Sequence, residues 1–99
     1  MENRYFIYII TNKYRTILYI GVTNNIQRRL SEHYFDSQNA KKSFAGKYNC
    51  YDLVYYEQFD CIKTAILREK TLKKWNRNKK NDLISEFNPN WVTLNSQII

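Results

Sequence analysis

Glycine and proline are nearly missing from this sequence, with two of the first and one of the second in 99 residues. That scarcity excludes a flexible linker or a low-complexity segment, and no internal repeat is present. A chain of this length has room for one small core, so a single domain over residues 1–99 is expected. Cysteine is equally sparse. Cys50 and Cys61 stand eleven residues apart without a second pair of ligands at metal spacing. This argues against a zinc site and fits reduced thiols in a cytoplasmic protein, with one disulfide left open. Long hydrophobic runs are also lacking: residues 5–10 form the longest, far below the ~20 residues a bilayer-spanning helix needs. Glu2 and Arg4 precede that run and no small-residue cleavage site follows it. Neither a membrane span nor an export signal is therefore expected.

Acidic residues are in deficit. Sixteen Lys and Arg stand against nine Asp and Glu, a net charge of +7. Residues 62–80 hold eight of the cations and a single acid, Glu69. Such asymmetry suggests a polyanionic partner, most simply nucleic acid, and a solvated lysine-rich face is the alternative. The hydrophobic fraction of 43% and aromatic fraction of 16% are ample for a folded core.

Tyr5-Phe6-Ile7-Tyr8-Ile9-Ile10 is aromatic and β-branched without polar alternation, the pattern of a strand covered on both faces and central in its sheet. A polar turn over residues 11–16 leads to a second strand over 17–22, and so short a connection predicts an antiparallel hairpin. Gly21 allows a close backbone approach or an unusual dihedral. Thr23 or Asn24 is the expected cap of a helix beginning near Asn25 and ending at Tyr34 or Asp36. The polar, basic segment 37–49 reads as a loop and a binding element. A third strand lies within residues 50–59, and Asp60 is the expected cap of a long helix with Ile62, Ala65, Ile66 and Leu72 on its apolar stripe. A basic stretch over 76–80 precedes a shorter helix containing Leu83, Ile84 and Phe87. Asn88-Pro89-Asn90-Trp91 then stops the helix and folds an aromatic ring back onto the body.

Three features do not fit a plain core. In the first helix, about 100° per residue from Ile26 puts Leu30 near 40°, His33 near 340° and Arg29 near 300°, so two polar groups share the buried stripe. Arg28 points away. In the later helix, Glu69 occupies the inward position where a leucine is expected, costly unless it is paired or holds a cation. Tyr8 and Tyr19, on neighbouring strands, can share the sheet face that the first helix crosses. Taken singly, each tyrosine and the histidine read as core residues with one hydrogen bond, and Arg29 with Glu69 reads equally as a buried ion pair or a site. Converging, they would suit phosphodiester chemistry: a carboxylate for a divalent metal, an arginine for the phosphate, and a phenol or imidazole to move a proton.

Phe6-Ile7-Tyr8 followed by Tyr19-Ile20-Gly21, then Arg29, His33 and Glu69 in order, resembles the GIY-YIG nuclease superfamily. Lys47-Tyr48-Asn49, Leu53-Val54-Tyr55-Tyr56-Glu57, Arg68-Glu69-Lys70, Leu72-Lys73-Lys74-Trp75 and Asn88-Pro89-Asn90-Trp91 extend the likeness to its small stand-alone bacterial branch. The resemblance implies an α/β (α+β) fold, a small three-stranded antiparallel sheet flanked by helices. It implies catalytic roles for Tyr8, Tyr19, Arg29, His33 and Glu69, with Gly21 as the structural turn residue. Glu69 would be the metal ligand for one Mg²⁺ or Mn²⁺ per site. Phe6 replaces the first motif's glycine, and Val22 stands where some repair nucleases of the superfamily carry lysine.

The sequence thus predicts a cytoplasmic DNA endonuclease acting in repair or recombination, with no membrane partner, as a monomer or weak homodimer. Lys41, Lys42, Lys47, Lys73, Lys74, Arg77, Lys79 and Lys80 are the candidate phosphate contacts, which position a backbone without reading sequence. The alternatives are a nucleic-acid-binding module with little turnover and a protein-interaction domain with a solvated basic face.

Overall fold

The computed structural model describes residues 4–39 and 44–98. Strand β1 (Tyr5–Thr11) takes the centre of a three-stranded antiparallel sheet between β2 (Leu18–Thr23) and β3 (Asp52–Phe59). Ile7, Tyr8, Ile9 and Ile10 are all buried, as expected of a strand with no polar face. The β1–β2 turn is closed by Asn12, whose Oδ1 accepts from the Thr16 and Ile17 amides at 2.9 and 3.0 Å. In the same turn Arg15 adopts a left-handed backbone with φ 61°.

Helix α1 (Ile26–Gln38) starts one residue later than expected, because Asn25 caps it by accepting from the Arg28 amide at 3.0 Å. Thr23 instead accepts from the Asn25 amide at 3.1 Å, ordering the approach. The helix also continues past Asp36 to Gln38, and α2 (Phe44–Lys47) follows, so the described part of the segment 37–49 contains helix at both of those places rather than only loop. Gly46 fits there because a Cβ would lie 2.0 Å from the Asp36 carboxylate. Lys41 and Lys42 lie outside the described residues.

Helix α3 (Ile62–Lys74) is preceded by Cys61 in the cap position, with no side-chain capping bond. Asp60 stands one residue too early to reach the first free amides, since β3 stays extended through Phe59. Helix α4 (Arg77–Phe87) absorbs the basic stretch into its first turn, with Asn76 accepting from the Lys79 amide at 2.9 Å. Arg77, Lys79 and Lys80 there oppose the helix dipole, which the Asn76 cap helps offset. The short α5 (Asn95–Ile98) has no counterpart in the sequence reading.

The sheet separates two cores. On one face Ile7, Ile9, Ile20, Val54 and Tyr55 meet Ala65 and Leu72 of α3 and Ile84 of α4. On the other, Tyr8, Ile10 and Leu53 meet Ile26 and Leu30 of α1, Ala45 of α2 and Leu94. A register shift between Ile9, opposite Tyr55, and Ile10, opposite Leu53, leaves Val54 as the extra residue of a bulge. The Val54 carbonyl accepts from the buried Asn88 side chain at 3.1 Å, and Asn88 also brackets Val92, donating to its carbonyl at 2.8 Å and accepting from its amide at 3.2 Å. Leu94 and Asn95 then bond to Leu53 at 2.8 and 2.7 Å, so the chain's last stretch covers the outer edge of β3.

Candidate active site

Tyr8 lies opposite Gly21 across the hairpin, and its ring lies over that glycine: a Cβ on Gly21 would stand 2.4 Å from the Tyr8 hydroxyl. No glycine among the described residues has positive φ. Gly21 therefore serves close approach, not an unusual dihedral. Tyr19, opposite Ile10, shares the Tyr8 face, and the two ring centroids are 6.3 Å apart. Both predicted inward residues of α1 reach these rings. The imidazole of His33 is 5.8 Å from the Tyr8 ring and 5.3 Å from Tyr19, edge-on.

The Tyr8 hydroxyl links the Arg29 and His33 side chains. Arg29 Nε, which can only donate, gives to the Tyr8 hydroxyl oxygen at 3.2 Å. The same hydroxyl lies 2.9 Å from His33 Nε2, and it donates there when the neutral imidazole carries its proton on Nδ1. Arg29 also donates through Nη1 to Glu32 at 3.2 Å, and Tyr19 is near enough to favour its charged form. Glu32 was not among the expected site residues, although its i+3 spacing from Arg29 is a legible signal.

Depth divides the cluster. Tyr8 and His33 are 1% and 2% exposed, whereas Tyr19 is half-buried and 37% of the Arg29 side chain meets solvent. Burial pushes the Tyr8 phenol up to about 12 despite the opposing influence of Arg29, and the charges of Tyr19 and Glu69 add to the rise. Burial, helped by the charge of Arg29, pulls His33 down to about 4. Burial works against the Arg29 charge, but the hydrogen bonds to Tyr8, Glu32 and Tyr19 hold it protonated.

Glu69 projects from α3, which packs on the opposite face of β1 and β2. Its side chain is 16% exposed and its carboxylate lies 3.6 Å from the Lys73 ammonium. The pairing of Arg29 with Glu32 and of Glu69 with Lys73 removes the alternative of an Arg29–Glu69 ion pair. Among the described residues no three His, Cys, Asp or Glu side chains gather as metal ligands. A lone, hard carboxylate suits Mg²⁺, which takes one or two carboxylates and completes its shell with water and phosphate oxygens.

The expected phosphate contacts are differently engaged. Arg77 donates to the Thr16 and Arg15 carbonyls at 2.9 and 2.8 Å, stapling α4 to the hairpin turn. Lys79 sits 4.2 Å from the Trp75 ring centroid and Lys47 5.6 Å from that of Tyr48. Lys74 is exposed and Lys80 half-buried.

Residues 4–82 match the model of a family described as the GIY-YIG catalytic domain. The chain is 33% identical over 86 residues to a UPF0213 protein of Natronomonas pharaonis, covering 87% of this chain and 96% of that one. It is 36% identical over 84 residues to a UPF0213 protein of Staphylococcus saprophyticus, covering 85% and 98%. The solution NMR structure of a UPF0213 protein from Bacillus halodurans is similar with a TM-score of 0.51, at 28% identity and 83% coverage of each chain. No helix among the described residues is long and apolar enough to cross a membrane.

Proposed function

Since the chain belongs to the GIY-YIG family, a nuclease family, we propose that it is a metal-dependent DNA endonuclease. The observation that carries this reading is Arg29, whose Nε donates to the buried Tyr8 hydroxyl while more than a third of its side chain meets solvent. A guanidinium so oriented presents its remaining donors to a phosphodiester in a fixed fork, which an ammonium would not reproduce.

Depth assigns the tyrosines different work. Tyr8, buried and hard to ionise, is a positioning residue that aims Arg29 and holds the His33 ring in place through the bond at Nε2. Tyr19 is the phenol within reach of solvent: as the phenolate it takes a proton from the attacking water and returns to the neutral phenol, with Arg29 beside it as the counter-charge to the anionic form. Water then attacks phosphorus in line with the departing 3′ oxygen; the P–O3′ bond breaks and the leaving oxygen takes a proton from solvent water, giving a 5′-phosphate and a 3′-hydroxyl. Glu69 is the side chain to hold Mg²⁺ or Mn²⁺, which would supply positive charge to the phosphate oxygens and the leaving group.

The test is cleavage of branched, nicked and linear DNA with and without Mg²⁺ by the wild type and by Glu69→Gln. The variant is expected to keep its fold and its DNA affinity while losing at least about a hundredfold in cleavage rate. Undiminished cleavage by the variant would remove Glu69 from the site. Binding without cutting by the wild type, in either metal, would leave a nucleic-acid-binding module.

A further inference from the structure

A second concave feature lies at the tip of the β1–β2 hairpin, where the turn meets the end of α1 and the segment entering β3. Its volume is about 310 Å³, and Tyr14, Tyr48 and Tyr51 supply its aromatic walls. Tyr14 is 76% exposed and Tyr48 41%. An ammonium stands over one face of each of these exposed rings: Lys13 is 5.7 Å from the centroid of Tyr14, and Lys47 is 5.6 Å from that of Tyr48. The carboxamides of Gln38 and Asn49 complete the lining used here.

The turn that presents Tyr14 is held firmly. Arg15 donates to Asp52 at 2.7 Å and to the Trp91 carbonyl at 3.2 and 3.1 Å, while Arg77 donates to two carbonyls of the same turn. On the other wall, Tyr51 meets the edge of the Tyr34 ring with centroids 5.0 Å apart. Both walls are therefore ordered before anything binds.

A purely apolar ligand would gain nothing from the lysines, and a bare phosphate nothing from the ring faces. Ring faces flanked by ammonium groups suit a nucleotide whose base is free to stack and whose phosphate meets a cation. In a duplex the base faces are covered by their neighbours, so the matching ligand is unpaired. Amide side chains add donors and acceptors for an exposed base edge. From Tyr8 to Thr11 is three residues of strand, about 10 Å, and from His33 to Gln38 along α1 is about 7.5 Å. A strand held at the cleft thus lies within a few nucleotides of Arg29.

We infer that this cleft binds an unpaired nucleotide and directs the enzyme to DNA with a single-stranded stretch beside the cleavage point. The substrate assignment rests on the nuclease reading above; the binding site does not. It is tested without metal, by the fluorescence anisotropy of a labelled oligothymidylate of roughly 12 nucleotides against a blunt duplex of the same length. Tyr14 is exposed, so its replacement leaves both cores intact. Tyr14→Ala is expected to weaken single-strand binding by about 5- to 100-fold and Tyr14→Phe to preserve it, with duplex affinity unchanged in both. An unchanged single-strand affinity in Tyr14→Ala, or an equal loss on duplex, overturns the assignment. Cleavage of duplex with Mg²⁺ is read separately. Wild-type cleavage of duplex together with an unchanged single-strand affinity in Tyr14→Ala sinks the cleft and leaves the nuclease standing. A selective loss of single-strand binding in a chain that cuts nothing supports the cleft and sinks the nuclease.

Discussion

His33 is 2% exposed, bonded to the Tyr8 hydroxyl and close to Arg29, and its pKa of about 4 reflects that burial first and the neighbouring charge second. In the unfolded chain the same imidazole titrates near 6.5. Between those values the unfolded state binds a proton that the folded state does not, so stability falls as pH drops from about 6.5 to about 4, by up to roughly 3 kcal/mol. Denaturation midpoints measured across this window should fall for the wild type and stay flatter for His33→Gln; parallel profiles would show that His33 is not the group responsible. Helical phase alone placed Arg29 and His33 inward. It did not distinguish the two tyrosines: the unbroken apolar pattern pointed to β1 as the central strand, but how far each ring reaches solvent depends on how α1 packs over them, which strand pattern does not carry. Glu69 stood out by its place on an apolar stripe, yet its relation to the tyrosines crosses from one sheet face to the other, which no spacing within one helix reveals.

Among the elements, the latch after α4 illustrates what local pattern cannot supply. Asn88 reads simply as a helix stop before proline, but its side chain satisfies the bulged Val54 carbonyl and both backbone groups of Val92. Asn88→Ala would leave the buried Val54 carbonyl and the Val92 backbone groups without that partner, a cost of about 1–3 kcal/mol. A urea titration is the measurement, and a loss under about 0.5 kcal/mol, the range of ordinary surface changes, would deny the latch. The strands, their hairpin and the three longer helices were legible because each spans several periods of its hydrophobic pattern. The four-residue helices α2 and α5 are little longer than one turn and carry no periodic signal. Caps slipped by a residue where polar side chains follow one another: Thr23, Asn24 and Asn25 are all competent, and tertiary geometry chose Asn25.

For the whole molecule, a net charge of +7 promises salt-sensitive DNA binding, but the cations differ in how free they are to supply it. Arg77 is already directed at backbone carbonyls, whereas Lys74 is exposed. Each phosphate neutralised in a duplex contributes about 0.9 to the slope of log affinity against log salt. Lys74→Gln should lower that slope by about 0.9 if Lys74 meets a phosphate, and Arg77→Gln should leave it unchanged while loosening the hairpin turn. The reverse ranking in a salt titration would move the DNA path toward the turn. The sheet also joins positions far apart in sequence. Residue 21 has no side chain because the Tyr8 ring fills that volume, and removing the hydroxyl alone would make no room, since a ring carbon would still stand 2.5 Å from any Cβ. The two sites must therefore be exchanged as a pair. Among divergent descendants of this chain, a side chain at 21 should arrive only where the ring at 8 has been lost, so that drift at one position becomes a record of lost chemistry at the other.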